Sequence, residues 1–147
     1  NPSIPLKFCF GIVQLALGFL LTKLGFQFVN EAYQVPILTL VFLYMLHTTG
    51  ELFLSPIGLS MVTKLSPKSM AGTAMGAWFL SFAIANYAGG KIAAITGDHS
   101  GGEAVSAEAG LLQYLDVFST IGYVLLIIAA IIFLLNKPIK KLMHGVE

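Results

Sequence analysis

Glu51 stands in the stretch HTTGELFLSP, residues 47 to 56, in the middle of one of the most apolar parts of the chain. At the centre of a membrane-spanning helix a carboxylate costs about 2.5 to 3.5 kcal/mol on insertion scales, so such residues face a partner, water or a ligand. At about 100° per residue, His47, Glu51, Ser55 and Gly58 fall on one narrow stripe of a helix, with Leu59 and Val62 beside it. The opposite face carries Phe42, Leu46, Phe53, Ile57 and Met61, which suit lipid or helix packing. No basic residue of this chain lies at the depth of Glu51, so its partner comes from elsewhere or is a ligand. The alternative is a carboxylate held by a structural hydrogen bond or salt bridge. His47, one turn away, either tunes the protonation of Glu51 or is a hydrogen-bonded packing residue.

Pro56 removes a backbone donor and crowds the carbonyl of Leu52, which predicts a kink or loosened turn. Next to a buried carboxylate that bend suits a moving helix, a possible hinge; equally, Gly50 and Pro56 can serve packing alone. Trp78, the only tryptophan, lies some ten residues inside its apolar stretch and not in an interfacial belt. It is either a bulky packing residue or a flat wall of a substrate cavity. Gly72 and Gly76 form a GxxxG step among Ala, Ser and Thr, a signal for close helix packing. Catalysis finds no support, because no nucleophile and base share a usable spacing. Asp98 and His99, in the polar segment GDHSGGEAVSAEAG, lack further ligands and read as part of a solvated turn; no metal and no cofactor are expected.

The elements that must hold these residues follow from composition. Hydrophobic residues make up 56% of the 147, and charged ones only 10% against roughly 25% in soluble domains. The chain is therefore expected to be all-α and integral to a membrane, with four spanning helices at about 6–24, 36–63, 69–96 and 112–135. Each approaches or exceeds the roughly 20 residues that one crossing needs. Alternate flanks then share a side, and one side collects Lys7, Lys64, Lys68, Lys137, Lys140 and Lys141. The positive-inside rule makes that side cytoplasmic, with the C-terminus on it. Lys7 and Lys23 are expected to snorkel to the interfaces. The last apolar run, YVLLIIAAIIFLL, is read as lipid-facing bulk, and Cys9 as a small packing residue. The net charge of +1 implies no nucleic-acid partner. Opening on Asn-Pro-Ser, the chain reads as a piece of a longer polypeptide.

Residues 50 to 90, GELFLSPIGLSMVTKLSPKSMAGTAMGAWFLSFAIANYAGG, resemble the proton-dependent oligopeptide transporter family of the major facilitator superfamily. The likeness extends less sharply over the whole chain. It implies that the four helices are the last third, helices nine to twelve, of a 12-helix major facilitator fold. Glu51 then corresponds to the tenth-helix glutamate, which meets the α-amino group of a bound peptide or, in an empty site, a lysine of the fourth helix. Ser55 and Trp78 match cavity-facing positions, and Leu59 matches a residue of the cytoplasmic gate. The family's ExxER motif lies outside this chain. A short connector at Gly25 to Val35 replaces the large extracellular domain of animal relatives, which favours a bacterial carrier and its inner membrane.

The resemblance implies symport of di- and tripeptides into the cytoplasm by alternating access, with protons as the coupling ion and the lipid bilayer and the remaining helices as partners. Two rivals stand beside it. One keeps the fold and carries nitrate or another small solute; the other is a membrane-anchoring region with no transport role.

Overall fold

The apolar runs fold as helices, and the boundaries follow local chemistry. The computed structural model describes residues 2–97 and 106–143. Helix α1 spans Ile4–Phe26, α2 Ile37–Leu65, α3 Ala71–Gly97 and α4 Ala107–Leu142, with a 3-10 turn over Lys68–Met70 leading into α3. Asp98 and His99 lie outside the described residues. Pro5 sits in the first turn of α1, where a missing N–H costs nothing, and Lys23 in its last turn, where a cation suits the carbonyl ends. Ser66 ends α2 in extended conformation because Pro67 follows it, and its amide still donates to the Val62 carbonyl at 3.2 Å.

The fourth helix is longer at both ends than the apolar run that announces it. Ser106 caps it, its Oγ accepting from the Ala109 amide at 3.2 Å, with Glu108 in the first turn. At the far end α4 continues through Pro138, so Lys137, Lys140 and Lys141 are helical residues and not a loose tail.

Among the described residues three helices, α1, α2 and α4, are long and apolar enough to cross a membrane. Four were expected. Helix α3 has the length, 27 residues, but carries Asn86, Tyr87, Lys91 and many Gly and Ala where the others have bulky apolar side chains.

Helix α1 lies between α2 and α4 and is antiparallel to both. Towards α2 it presents Gly11, Gly18 and Gly25, one every seven residues and therefore on one face. Each is filled by an α2 side chain. A Cβ on Gly11 would stand 2.8 Å from Leu54 Cγ, one on Gly18 2.5 Å from His47 Cδ2, and one on Gly25 2.6 Å from Thr39 Oγ1. Gly50 of α2 answers in kind, approaching the Gly11 carbonyl and the Leu15 side chain. Between these seats the Gln14 amide donates to the Thr49 hydroxyl.

Towards α4, α1 presents Cys9, Ala16 and Leu20. Ala16 is wholly buried, Leu20 fills the space over Gly122, and the Cys9 thiol donates to the Ala129 carbonyl at 3.3 Å. Ser3 donates to Asn136 at 2.8 Å. The fourth helix thus turns a small-residue stripe, Ser119, Gly122 and Ala129, onto α1 and is only in part lipid-facing bulk. Burial of small side chains lets the backbones come close, and packing contact replaces the hydrophobic drive that a bilayer does not supply.

Lys23 does not reach outward. Its ammonium donates to the Tyr123 hydroxyl at 3.0 Å and lies 4.8 Å from that ring's centre, tying the end of α1 to the middle of α4. Side chains lean towards the N-terminus of their own helix, and in this antiparallel pair that leans Lys23 and Tyr123 towards each other.

The α1–α2 connector is a turn built on Asn30. Its Oδ1 accepts from the amides of Ala32 and Gln34 at 3.0 and 2.9 Å, and Tyr33 takes a left-handed backbone at φ 57°. The Tyr33 phenol donates to the Glu108 carboxylate at 3.0 Å, joining the connector to the start of α4. That carboxylate pushes the phenol's pKa above its ordinary value, first through the hydrogen bond and then through its charge.

Candidate functional site

The side of α2 that α1 covers is Thr39, Leu43, His47, Gly50 and Leu54, a stripe of three- and four-residue steps. Glu51 and Ser55 follow Gly50 and Leu54 by one residue each, so they sit about 100° round the helix, at the edge of the covered face. The Glu51 side chain is exposed and Ser55 half-buried. Among the described residues nothing pairs with the Glu51 carboxylate.

Trp78 closes the stripe at its lower end. Its ring lies against Gly58, where an added Cβ would stand 2.5 Å from Cζ2. Gly58 is two turns from Glu51 on the same face, so α3 crosses α2 just beyond Ser55. Phe82 backs the indole edge-on, with ring centres 6.1 Å apart. The arrangement is a carboxylate and a hydroxyl on an open helix face, with an aromatic wall at one end. Chemically it can take an ammonium group beside an apolar or aromatic surface.

Leu59, 39% exposed, continues the open face beyond Gly58. Pro56 is exposed, and α2 runs unbroken from Ile37 to Leu65 across it. His47 is placed differently from the other stripe residues. It is wedged into α1 over Gly18, its ring 4.4 Å from that of Phe19 and tilted, and its Nε2 is buried with no hydrogen-bond partner among the described residues. A ring chain continues from Phe19 to Phe118 at 5.4 Å and from Phe118 to Tyr114 at 6.0 Å, linking α2, α1 and α4. In this arrangement the His47 ring is packed against α1.

Gly72 and Gly76 meet nothing described within 4 Å of an added Cβ, so the GxxxG step of α3 is not the contact that holds α3 to α2. Gly58 is, and it was not singled out as a seat for Trp78. The seven-residue glycine spacing of α1 was also missed, although that period was legible. Among the described residues no three His, Cys, Asp or Glu gather as metal ligands.

Long apolar helices packed through small residues, with an ionisable side chain on an open helix face, define an integral membrane protein with a polar site. The model for the POT family matches residues 1–107. The chain is 37% identical over 142 residues to dipeptide and tripeptide permease A of Edwardsiella piscicida, covering 97% of this chain and 29% of that protein. To the permease A of Yersinia pestis it is 40% identical over 140 residues, 95% of this chain and 28% of the relative. To dipeptide and tripeptide permease B of Aeromonas hydrophila it is 34% identical over 144 residues, 97% and 28%. The chain belongs to the POT family of transporters. It spans less than a third of the length of these relatives.

Proposed function

We propose that these helices are the last third of a carrier that takes di- and tripeptides into the cytoplasm together with protons, and that Glu51 binds the peptide's ammonium group. The observation that carries this reading is the unpaired Glu51 carboxylate on the open face of α2, beside Ser55 and above the Trp78 ring, in a chain of the POT family. The names of the relatives, dipeptide and tripeptide permeases, support peptides as the cargo. In a low-dielectric cavity a carboxylate and an ammonium attract far more strongly than in water. Ser55 adds a hydrogen bond, Trp78 a wall, and Leu59 closes the lysine-rich, cytoplasmic end.

Alternating access then has α3 and the open half of α2 rock as a unit, with Pro56 as the place where α2 yields. Helices α1 and α4 stay as a braced pair. All four helices cross the bacterial inner membrane, α3 included, its polar residues facing helices of the same carrier.

The test is uptake of a labelled dipeptide into liposomes holding the complete carrier, with and without an inward proton gradient, for wild type and Glu51→Ala. Gradient-driven uptake that the substitution abolishes, with the melting temperature kept, is the expected result. Wild-type uptake unaffected by Glu51→Ala would return Glu51 to a structural role. Nitrate competing for uptake in place of peptides would change the cargo.

A further inference from the structure

At the lysine-rich end, α1 and α2 leave an open groove of about 410 Å³. Phe10, Val13, Gln14 and Leu17 of α1 and Phe53 of α2 line it, with Lys7 and then Pro2 towards the start of the chain. Its uncharged polar lining is spent, because the Gln14 amide donates to Thr49. The walls are bare, with Phe10 59%, Leu17 50% and Phe53 50% exposed. Lys7 is half-buried along its stem, and its ammonium has no partner among the described residues.

Two features fix what fits there. The groove is apolar along its length and cationic only at Lys7, on the side to which the helix order also assigns Lys64, Lys68 and Lys137. From Lys7 to Leu17 it runs ten residues, about 15 Å along the helix, which is half of a hydrocarbon core of roughly 30 Å. One leaflet is as deep as the stretch from Lys7 to Leu17 is long. We propose that the groove holds one anionic glycerophospholipid of the leaflet at the lysine-rich end, its phosphate on Lys7 and one acyl chain laid along Phe10, Val13 and Leu17 against Phe53. A lipid so placed covers the seam between α1 and α2 next to the Gly11 and Gly50 contact. It is independent of the peptide site, which faces the other way round α2.

The test uses the complete carrier in a neutral detergent, titrated with dioleoyl phosphatidylglycerol or dioleoyl phosphatidylcholine and read by native mass spectrometry. One phosphatidylglycerol is expected to stay bound under activation that strips phosphatidylcholine. Lys7→Gln lowers phosphatidylglycerol retention about five-fold, the ordinary worth of one lysine at an anionic surface. Lys7→Arg keeps it. Leu17→Trp, at the far end from Lys7, lowers retention of both lipids, and Lys91→Gln, on α3 away from the groove, changes neither. Equal retention of phosphatidylglycerol by wild type and Lys7→Gln, or retention that Leu17→Trp leaves untouched, overturns the site. So does a benzophenone at position 17 that crosslinks, in native membranes, to another helix of the carrier and not to phospholipid.

Discussion

The ring of Trp78 occupies the space that a side chain at position 58 would need: a Cβ on Gly58 would stand 2.5 Å from its Cζ2. This is where α3 rests on α2, next to the open face that carries Glu51 and Ser55. Gly58→Ala therefore pushes the indole out of its seat, and overpacking of this kind costs about 1 to 3 kcal/mol. The melting temperature of the complete carrier falls accordingly. Because the two residues touch, the double variant with Trp78→Ala loses less than the two single variants together; strict additivity would show that the contact does not hold α3.

Gly18 and His47 form the corresponding seat between α1 and α2, and they respond in opposite ways. Gly18→Val forces His47 out of a packed seam, again for about 1 to 3 kcal/mol. His47→Leu removes the buried Nε2, which has no partner among the described residues, a group that typically costs about 1 to 3 kcal/mol to leave unsatisfied, so stability holds or rises. Peptide uptake by His47→Leu at its normal pH dependence is expected from a packing residue. A shifted pH profile would instead tie His47 to the protonation of Glu51.

Substitutions on the open face of α2 separate binding from gating. Glu51→Gln keeps the shape and removes the charge; truncating one member of a desolvated ion pair costs about 2 to 5 kcal/mol, which is more than thirtyfold in peptide affinity. Competition binding of an unlabelled dipeptide reads it. Leu59→Ala leaves the carboxylate alone and loosens the lysine-rich end, so cysteine probes added from that side label the cavity faster while affinity changes little. Unchanged labelling would remove Leu59 from the gate.

Tyr33 gives the clearest pH dependence. Its phenol is held protonated by the Glu108 carboxylate, so its folded pKa lies above the ordinary value near 10. For a group raised in this way the stabilisation is complete below the ordinary value and is lost as pH rises through the folded one. Tyrosine-selective NMR should place the Tyr33 midpoint above those of tyrosines without a carboxylate partner, and Glu108→Gln should bring it down. A midpoint that ignores Glu108 would mean that the connector is not tied to α4.

Much of this was legible in the sequence because a bilayer leaves few options. Apolar length gave the helices, and helical periodicity the stripe with Glu51 and Ser55. His47 shares that stripe by angle yet belongs to the α1 seam, because 40° separates it from Glu51 and a helix neighbour covers that much arc; only Gly18, seven residues from Gly11 and from Gly25, shows which side is covered. The GxxxG step of α3 names no partner, since a motif for close approach does not say what approaches, and none of the described residues meets it. The reach of α4 past Leu135 was hidden by lysines that look like a solvated tail but are good helix formers. Lys23 was misread for want of Tyr123, a partner one hundred residues away.

Helix α4 has a consequence of scale. Its 36 residues make a rod of about 54 Å, against a bilayer of about 40 to 45 Å with its head groups. The rod must lean or stand clear of the surface. In either case Lys140 and Lys141 are carried at a fixed reach on a stiff strut braced by α1, and a change in the lean of α4 becomes a change in how far those charges stand from the lipid phosphates.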